Sequence, residues 1–303
     1  MKKIILSLVA LLLYTANADI HIFDINNTSD AVKAENIEKI FRDNGFEVGI
    51  NNEMNRPFTK QFGKTEYKIF NLLTIYHPTL SMELVNKYSK AGVFVPMSIG
   101  IYQGENEKDI HISVLSSKAQ EKITGIKSPI FAKIEDKITK AIMTTFPHAK
   151  HRETLQGAKA TKPLLTMFDM KLGNNKPSDD KDNFEMSLES GFEPKGFVMP
   201  AFLNVSDEIS KNKNLKNAYD FYDTYSICKL EVIYNVAKTR PEAAAFAPCT
   251  TIVYKKKGEK KLVVGFPSVY NWLSSASVIE PEATRVLLKA QNDFETILRD
   301  ITE

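Results

Sequence analysis

Cys228 and Cys249 are the only cysteines in a chain of 303 residues, and the second directly follows a proline in AAFAPCTTIVYKKKGEKKLVVGFP (Ala244–Pro267). Two thiols at this spacing can form a disulfide, lie buried as small apolar groups, or act together as a redox or soft-metal pair. An even count invites the disulfide, provided that the fold brings the two Cα atoms within about 7 Å. There is no Cys-x-x-Cys, which counts against thioredoxin-like exchange. Tyr222, Pro248, Tyr254 and Trp272 stand near the pair and are candidate pocket residues, with core packing as their plainer use.

Other chemistry is sparse. The chain has no Gly-x-Ser-x-Gly elbow, no phosphate-cradling Walker loop and no His-Glu-x-x-His, so no catalytic residue and no cofactor is assigned. His148 and His151, three apart in FPHAKHRE, would share a face of a helix and could ligate a metal. No cysteine or carboxylate motif adjoins them, so they read as solvated linker histidines and no metal site is assigned. His21, His77 and His111 are isolated and read as structural. The basic run KKKGEKK (Lys255–Lys261) reads as a hairpin turn kept soluble by charge.

The elements that carry the cysteines occur twice. A shift of 152 positions aligns residues 67–146 with 219–298 without a gap, matching Tyr67 with Tyr219, Pro96 with Pro248, Tyr102 with Tyr254 and Pro129 with Pro281. Residue types also agree in the order a fold needs: aromatic strand, amphipathic helix, strand started by proline, polar turn, strand, long helix. Upstream, NGFEV (Asn44–Val48) aligns with SGFEP (Ser190–Pro194) at a shift of 146, which places about six extra residues in the polar stretch Ser206–Asp220. Copy one has Tyr76 and Met97 where copy two has the cysteines. The polar segment Pro147–Lys162 reads as the linker. The units are then a first repeat over 19–150 and a second over 155–303.

A strand ending in cysteine, a short helix, then Pro-Cys opening a strand that contains a tyrosine resembles the family called domain of unknown function 302. Here this is YSICKLEVIYNVAKTRPEAAAFAPCTTIVYKKKGEKKLVVGFP (Tyr225–Pro267). The resemblance implies two tandem α+β repeats, each a curved antiparallel sheet with helices on one face, as in the TATA-binding-protein type of unit. It also implies antiparallel neighbours around Cys228 and Cys249, which would bring the thiols near each other. It carries no activity, since function belongs to sites and not to folds.

The chain opens MKKIILSLVALLLYTANADI, a basic start, a short apolar run and a small-x-small site, which predicts a signal peptide over 1–18 cut after Ala18. The expected location is periplasmic or secreted. Removing Lys2 and Lys3 lowers the formal charge from +3 to +1, too little to neutralise a phosphate backbone, so nucleic acid is not an expected partner. No later segment has transmembrane length. The expectation is a non-enzymatic module that binds a small molecule or a protein partner. Its rival is a thiol-dependent redox or metal-handling protein using Cys228 and Cys249.

Overall fold

In the computed structural model, residues 19–154 and 162–303 are described. The expected signal peptide over 1–18 and the expected domain boundary near residue 155 lie outside them. The first half runs β1 (Ile20–Asn26), α1 (Ala34–Asp43), β2 (Glu47–Glu53), α2 (Asn55–Phe62), β3 (Tyr67–Tyr76), α3 (Leu80–Lys87), a 3₁₀ turn (Ser89–Phe94), β4 (Met97–Gly104), β5 (Asp109–Leu115), α4 (Ser117–Thr124), α5 (Pro129–Thr145) and β6 (Lys150–Glu153). The second half repeats the series as β7 (Leu165–Lys171), α6 (Pro177–Phe192), β8 (Val198–Asn204), α7 (Val205–Lys211), β9 (Tyr219–Cys228), α8 (Leu230–Ala237), a 3₁₀ turn (Pro241–Phe246), β10 (Cys249–Lys256), β11 (Lys261–Pro267), α9 (Tyr270–Ser275) and α10 (Pro281–Thr302).

Local chemistry explains the ends that match between halves. Pro129 and Pro281 each sit in the first turn of the long closing helix, where a missing N–H costs nothing. Each polar turn between the paired strands stays open to solvent, and Gly258 takes the positive φ of +80° that the second turn requires. One sheet has the strand order β2-β3-β4-β5-β1-β6 and the other β8-β9-β10-β11-β7, so the order is shared except for β6. Every pairing is antiparallel. This is the α+β architecture that the resemblance implies.

Two sequence expectations are corrected. Part of the polar linker is structured: β6 pairs with β1, bringing His151 opposite Phe23 and Glu153 opposite His21. The extra residues of the second half lie in its first helix and not in Ser206–Asp220, because α6 has 16 residues where α1 has 10. Gly45 (φ +83°) before β2 corresponds to Gly196 (φ +75°) before β8, whereas Gly191 lies inside α6. Both glycines precede a phenylalanine, so the sequence match alone selected the wrong one.

The two halves meet through reciprocal contacts. Ser98 Oγ donates to the carbonyl of Pro248 at 2.8 Å, and Thr250 Oγ1 donates to the carbonyl of Pro96 at 2.8 Å. Tyr219 OH donates to Val85 O at 2.7 Å, and Tyr67 OH donates to Ala237 O. In each pair both members are related by 152 positions, so residue i meets j while the equivalent of j meets the equivalent of i. That reciprocity is the signature of a two-fold contact within one chain. Close approach is part of it: a Cβ at Gly100 would meet Ala244 Cβ at 2.6 Å, and one at Gly92 would meet Tyr222 OH at 1.9 Å.

Candidate functional site

Cys228 closes β9 and Cys249 opens β10, with α8 and the 3₁₀ turn between them. The strands are antiparallel, as the resemblance implies. The register, however, sets Cys249 opposite Ile227, and Cys228 stands one position further along. Neighbouring side chains on a strand leave on opposite faces, so the thiols are not a directly facing cross-strand pair. Both are free. The disulfide expectation is corrected by this one-residue offset. The proline before each strand, Pro96 and Pro248, follows a cis peptide bond in both halves.

The two thiols nevertheless line one cavity of about 50 Å³ beneath α10. Its wall includes Phe197, Ile227, Val232, Phe266, Trp272, Leu287 and Phe294. Of the polar lining groups, Gln291 accepts from Val269 N at 2.9 Å and donates to Thr166 Oγ1 at 3.0 Å and Glu295 at 2.7 Å. Lys229 Nζ lies 3.5 Å from Asp293 Oδ2 and 5.2 Å above the Phe197 ring. Both amide protons of Gln291 are thus engaged within the protein, and the Lys229 ammonium is paired with a carboxylate. What the cavity offers a guest is aromatic and aliphatic surface with two thiols.

Burial pushes the Cys228 thiol up to about 12, and the neighbouring Cys249 adds to the shift. Burial likewise pushes Cys249 up to about 12, against a hydrogen bond from the Trp272 indole that favours the thiolate. Cys249 Sγ donates to Phe246 O at 3.5 Å, and Phe246 stacks on Trp272 with centroids 5.9 Å apart. Both sulfurs are therefore neutral thiols across the physiological range, poor nucleophiles and held by packing.

The equivalent place in the first half has Tyr76, Met97 and Gln120, each 152 positions earlier than Cys228, Cys249 and Trp272. Gln120 Nε2 donates to Met97 Sδ at 3.5 Å and to Leu115 O at 3.3 Å, a side-chain donor on a sulfur as in the second half. The space there is about 10 Å³. Since one water needs roughly 10–15 Å³ on this measure, the first half is filled while the second has room for a small guest.

The remaining candidates divide between two places. Trp272 is in the cavity wall. Tyr222 is fully buried, donates to Ser89 O at 2.6 Å across the seam between halves, and stacks on Tyr254 with centroids 5.1 Å apart. The Pro248 carbonyl accepts from Ser98 at the same seam. Tyr222, Tyr254 and Pro248 therefore belong to the interface, correcting a pocket that included them. His151 is exposed but lies on a strand and stacks on Phe23 at 4.7 Å, so it belongs to the first sheet and not to the linker. The cavity residues not singled out from sequence, Phe197, Phe266 and Gln291, were hidden because no pattern separates a pocket wall from a core. Leu287 and Phe294 lie on the buried face of the last helix. A larger groove of about 370 Å³ beside α1 is walled by Ala31, Asn36, Lys39 and Asp43, all exposed, and is an open cleft in which Lys39 and Asp43 pair with each other.

Residues 175–301 match the family model of the domain of unknown function DUF302. Among solved structures, the chain is similar to the crystal structure of an uncharacterized conserved DUF302 protein from Bacillus stearothermophilus, at 16% identity, covering 46% of this chain and 98% of that one, with a TM-score of 0.37. No curated protein matches the chain.

Proposed function

We propose that the chain is an exported protein built of two copies of the DUF302 unit, in which the second copy binds a small apolar molecule and the first serves as its structural support. The observation that carries this reading is the cavity beside Cys228, Cys249 and Trp272, whose polar neighbours are already paired within the protein. A site that rewards apolar surface and whose polar neighbours are paired selects an apolar guest, because a polar one would be stripped of water with little compensation. The duplication is supported by the shared strand order and the reciprocal seam.

The same geometry weighs against thiol-dependent chemistry. Thiols at about 12, against 9.0 for an ordinary thiol, leave about a thousandfold less thiolate at neutral pH, and thiolate is the reactive form. Trp272 is the single tryptophan, so emission excited at wavelengths beyond tyrosine absorption reports on the cavity. Pressurisation with xenon, an apolar guest small enough for about 50 Å³, should change that emission saturably, while alkylation of the folded protein at pH 8 stays far slower than in denaturant. Emission unchanged up to the highest xenon pressure would overturn the binding reading. Alkylation as fast as in denaturant would favour the thiol reading.

A further inference from the structure

The edge strand β6 and the first strand β1 bring together three metal-ligating side chains that lie far apart in sequence. Their register sets His21 opposite Glu153 and Phe23 opposite His151. Positions two apart on a strand share a face, so His21, His151 and Glu153 all project from the same side of the sheet. His21 Nδ1 lies 3.0 Å from His151 Nε2 and 3.5 Å from Glu153 Oε1, and one donor atom from each residue falls within 4.8 Å of the others. Ligand atoms bound to zinc at about 2.0–2.1 Å in a tetrahedron stand about 3.3–3.4 Å apart, so these separations need only a small adjustment.

The surroundings prepare the donors. Glu135 on α5 bonds to His21 Nε2. A carboxylate there accepts a hydrogen bond from Nε2–H and leaves the Nδ1 lone pair directed at His151 and Glu153. Ser117 N donates to the other oxygen of Glu135 at 3.2 Å and holds the carboxylate in place. His21 is 8% exposed, so its ring is fixed by packing. His151 is held by its stack on Phe23. His151 and Glu153 are exposed, which leaves the remaining coordination position to water.

We propose that His21, His151 and Glu153 form a binding site for a divalent transition metal of the zinc class, with Glu135 as the carboxylate that orients His21. Two imidazoles and one carboxylate suit zinc, cobalt or nickel and not calcium or magnesium, which take oxygen ligands. Bound metal would tie the four-residue edge strand to β1.

The test uses the untagged full chain, stripped with chelator, and Co(II) as the probe. Expected are one equivalent of bound cobalt, visible ligand-field bands of a four-coordinate site without thiolate charge-transfer absorption, and displacement by zinc. His151→Ala and Glu153→Gln should each weaken binding at least tenfold. Glu135→Gln, which removes no ligand, should weaken it about 10- to 100-fold. The double variant Cys228→Ser, Cys249→Ser should bind as the parent does. Circular dichroism checks that each variant is folded, and His151→Ala changes only an exposed edge position. Absence of binding by the parent, equal binding by His151→Ala and Glu153→Gln, or cobalt bands that vanish with the cysteines would each overturn the proposal.

Discussion

At one place in each half, a helix after the paired strands sets a hydrogen-bond donor against a sulfur: Gln120 against Met97 in the first half, Trp272 against Cys249 in the second. The surrounding scaffold is the same, with Ile75 opposite Met97 and Ile227 opposite Cys249 at the identical step of the ladder. The outcome differs because of volume. Tyr76 and Met97 fill their site to about 10 Å³, whereas two short thiols leave about 50 Å³. Cysteine here acts through what it does not occupy. Two halves with a shared strand order thus differ in enclosed volume through three positions, without any change of topology.

The largest effect that would sharpen this contrast is expected at the donor position. Trp272→Ala removes a buried aromatic wall and should cost about 3–5 kcal/mol of stability, whereas Gln120→Ala should cost about 1–2 kcal/mol, the loss of a buried hydrogen-bonded amide. Chemical denaturation of the two variants measures both. Equal losses would mean that the two sites carry equal packing and would remove the asymmetry.

A second contrast lies on the central strands. Asn71 of β3 donates to Asn51 at 2.9 Å, and its counterpart on β9 is Asp223, fully buried. Burial pushes the Asp223 carboxyl from 3.8 up to about 6, although Lys181 stands 3.2 Å away and pulls it down. The folded state therefore holds its proton more tightly than the unfolded chain does. Its contribution is full below about pH 4 and declines as pH rises towards 6, because the unfolded chain ionises first. Asp223→Asn, which installs the residue of the first half, should flatten this slope and raise stability at pH 7 by about 1–3 kcal/mol. Unfolding midpoints between pH 4 and 7 test the sign; a variant less stable than the parent at pH 7 would contradict it.

The smallest effect concerns the seam. Ser98→Ala and Thr250→Ala each remove one of two equivalent hydrogen bonds and should each cost about 1 kcal/mol. A marked cost for one and none for the other would show that the reciprocal geometry is not reciprocal in energy.

Much of this frame was legible from residue order. Paired prolines before strands, paired tyrosines and the long closing helices showed the repeated order of elements, and the family resemblance implied the antiparallel pairing of β9 with β10. The site itself was legible only in part. Cys228, Cys249 and Trp272 line one cavity, but the ladder offset that keeps the cysteines from facing each other directly is a one-residue matter that composition and spacing do not encode. Tyr222 and Tyr254 misled because an aromatic that seals an interface has the same local sequence as one that lines a pocket. Gly196 was passed over for Gly191 because only the backbone angle distinguishes a helix-ending glycine from one packed inside the helix against Ile297. The meeting of His21 with His151 depends on an edge strand of four residues, too short and too polar to be recognised by pattern.

The central claim is that the second half encloses space for an apolar guest which its counterpart in the first half does not. Xenon enters apolar cavities and scatters strongly, so a crystal of the protein pressurised with xenon tests this directly. The account predicts a xenon atom between Cys249, Trp272 and Phe294 and none between Phe94, Met97 and Gln120. Equal occupancy at the two places, or xenon at the first alone, would contradict it.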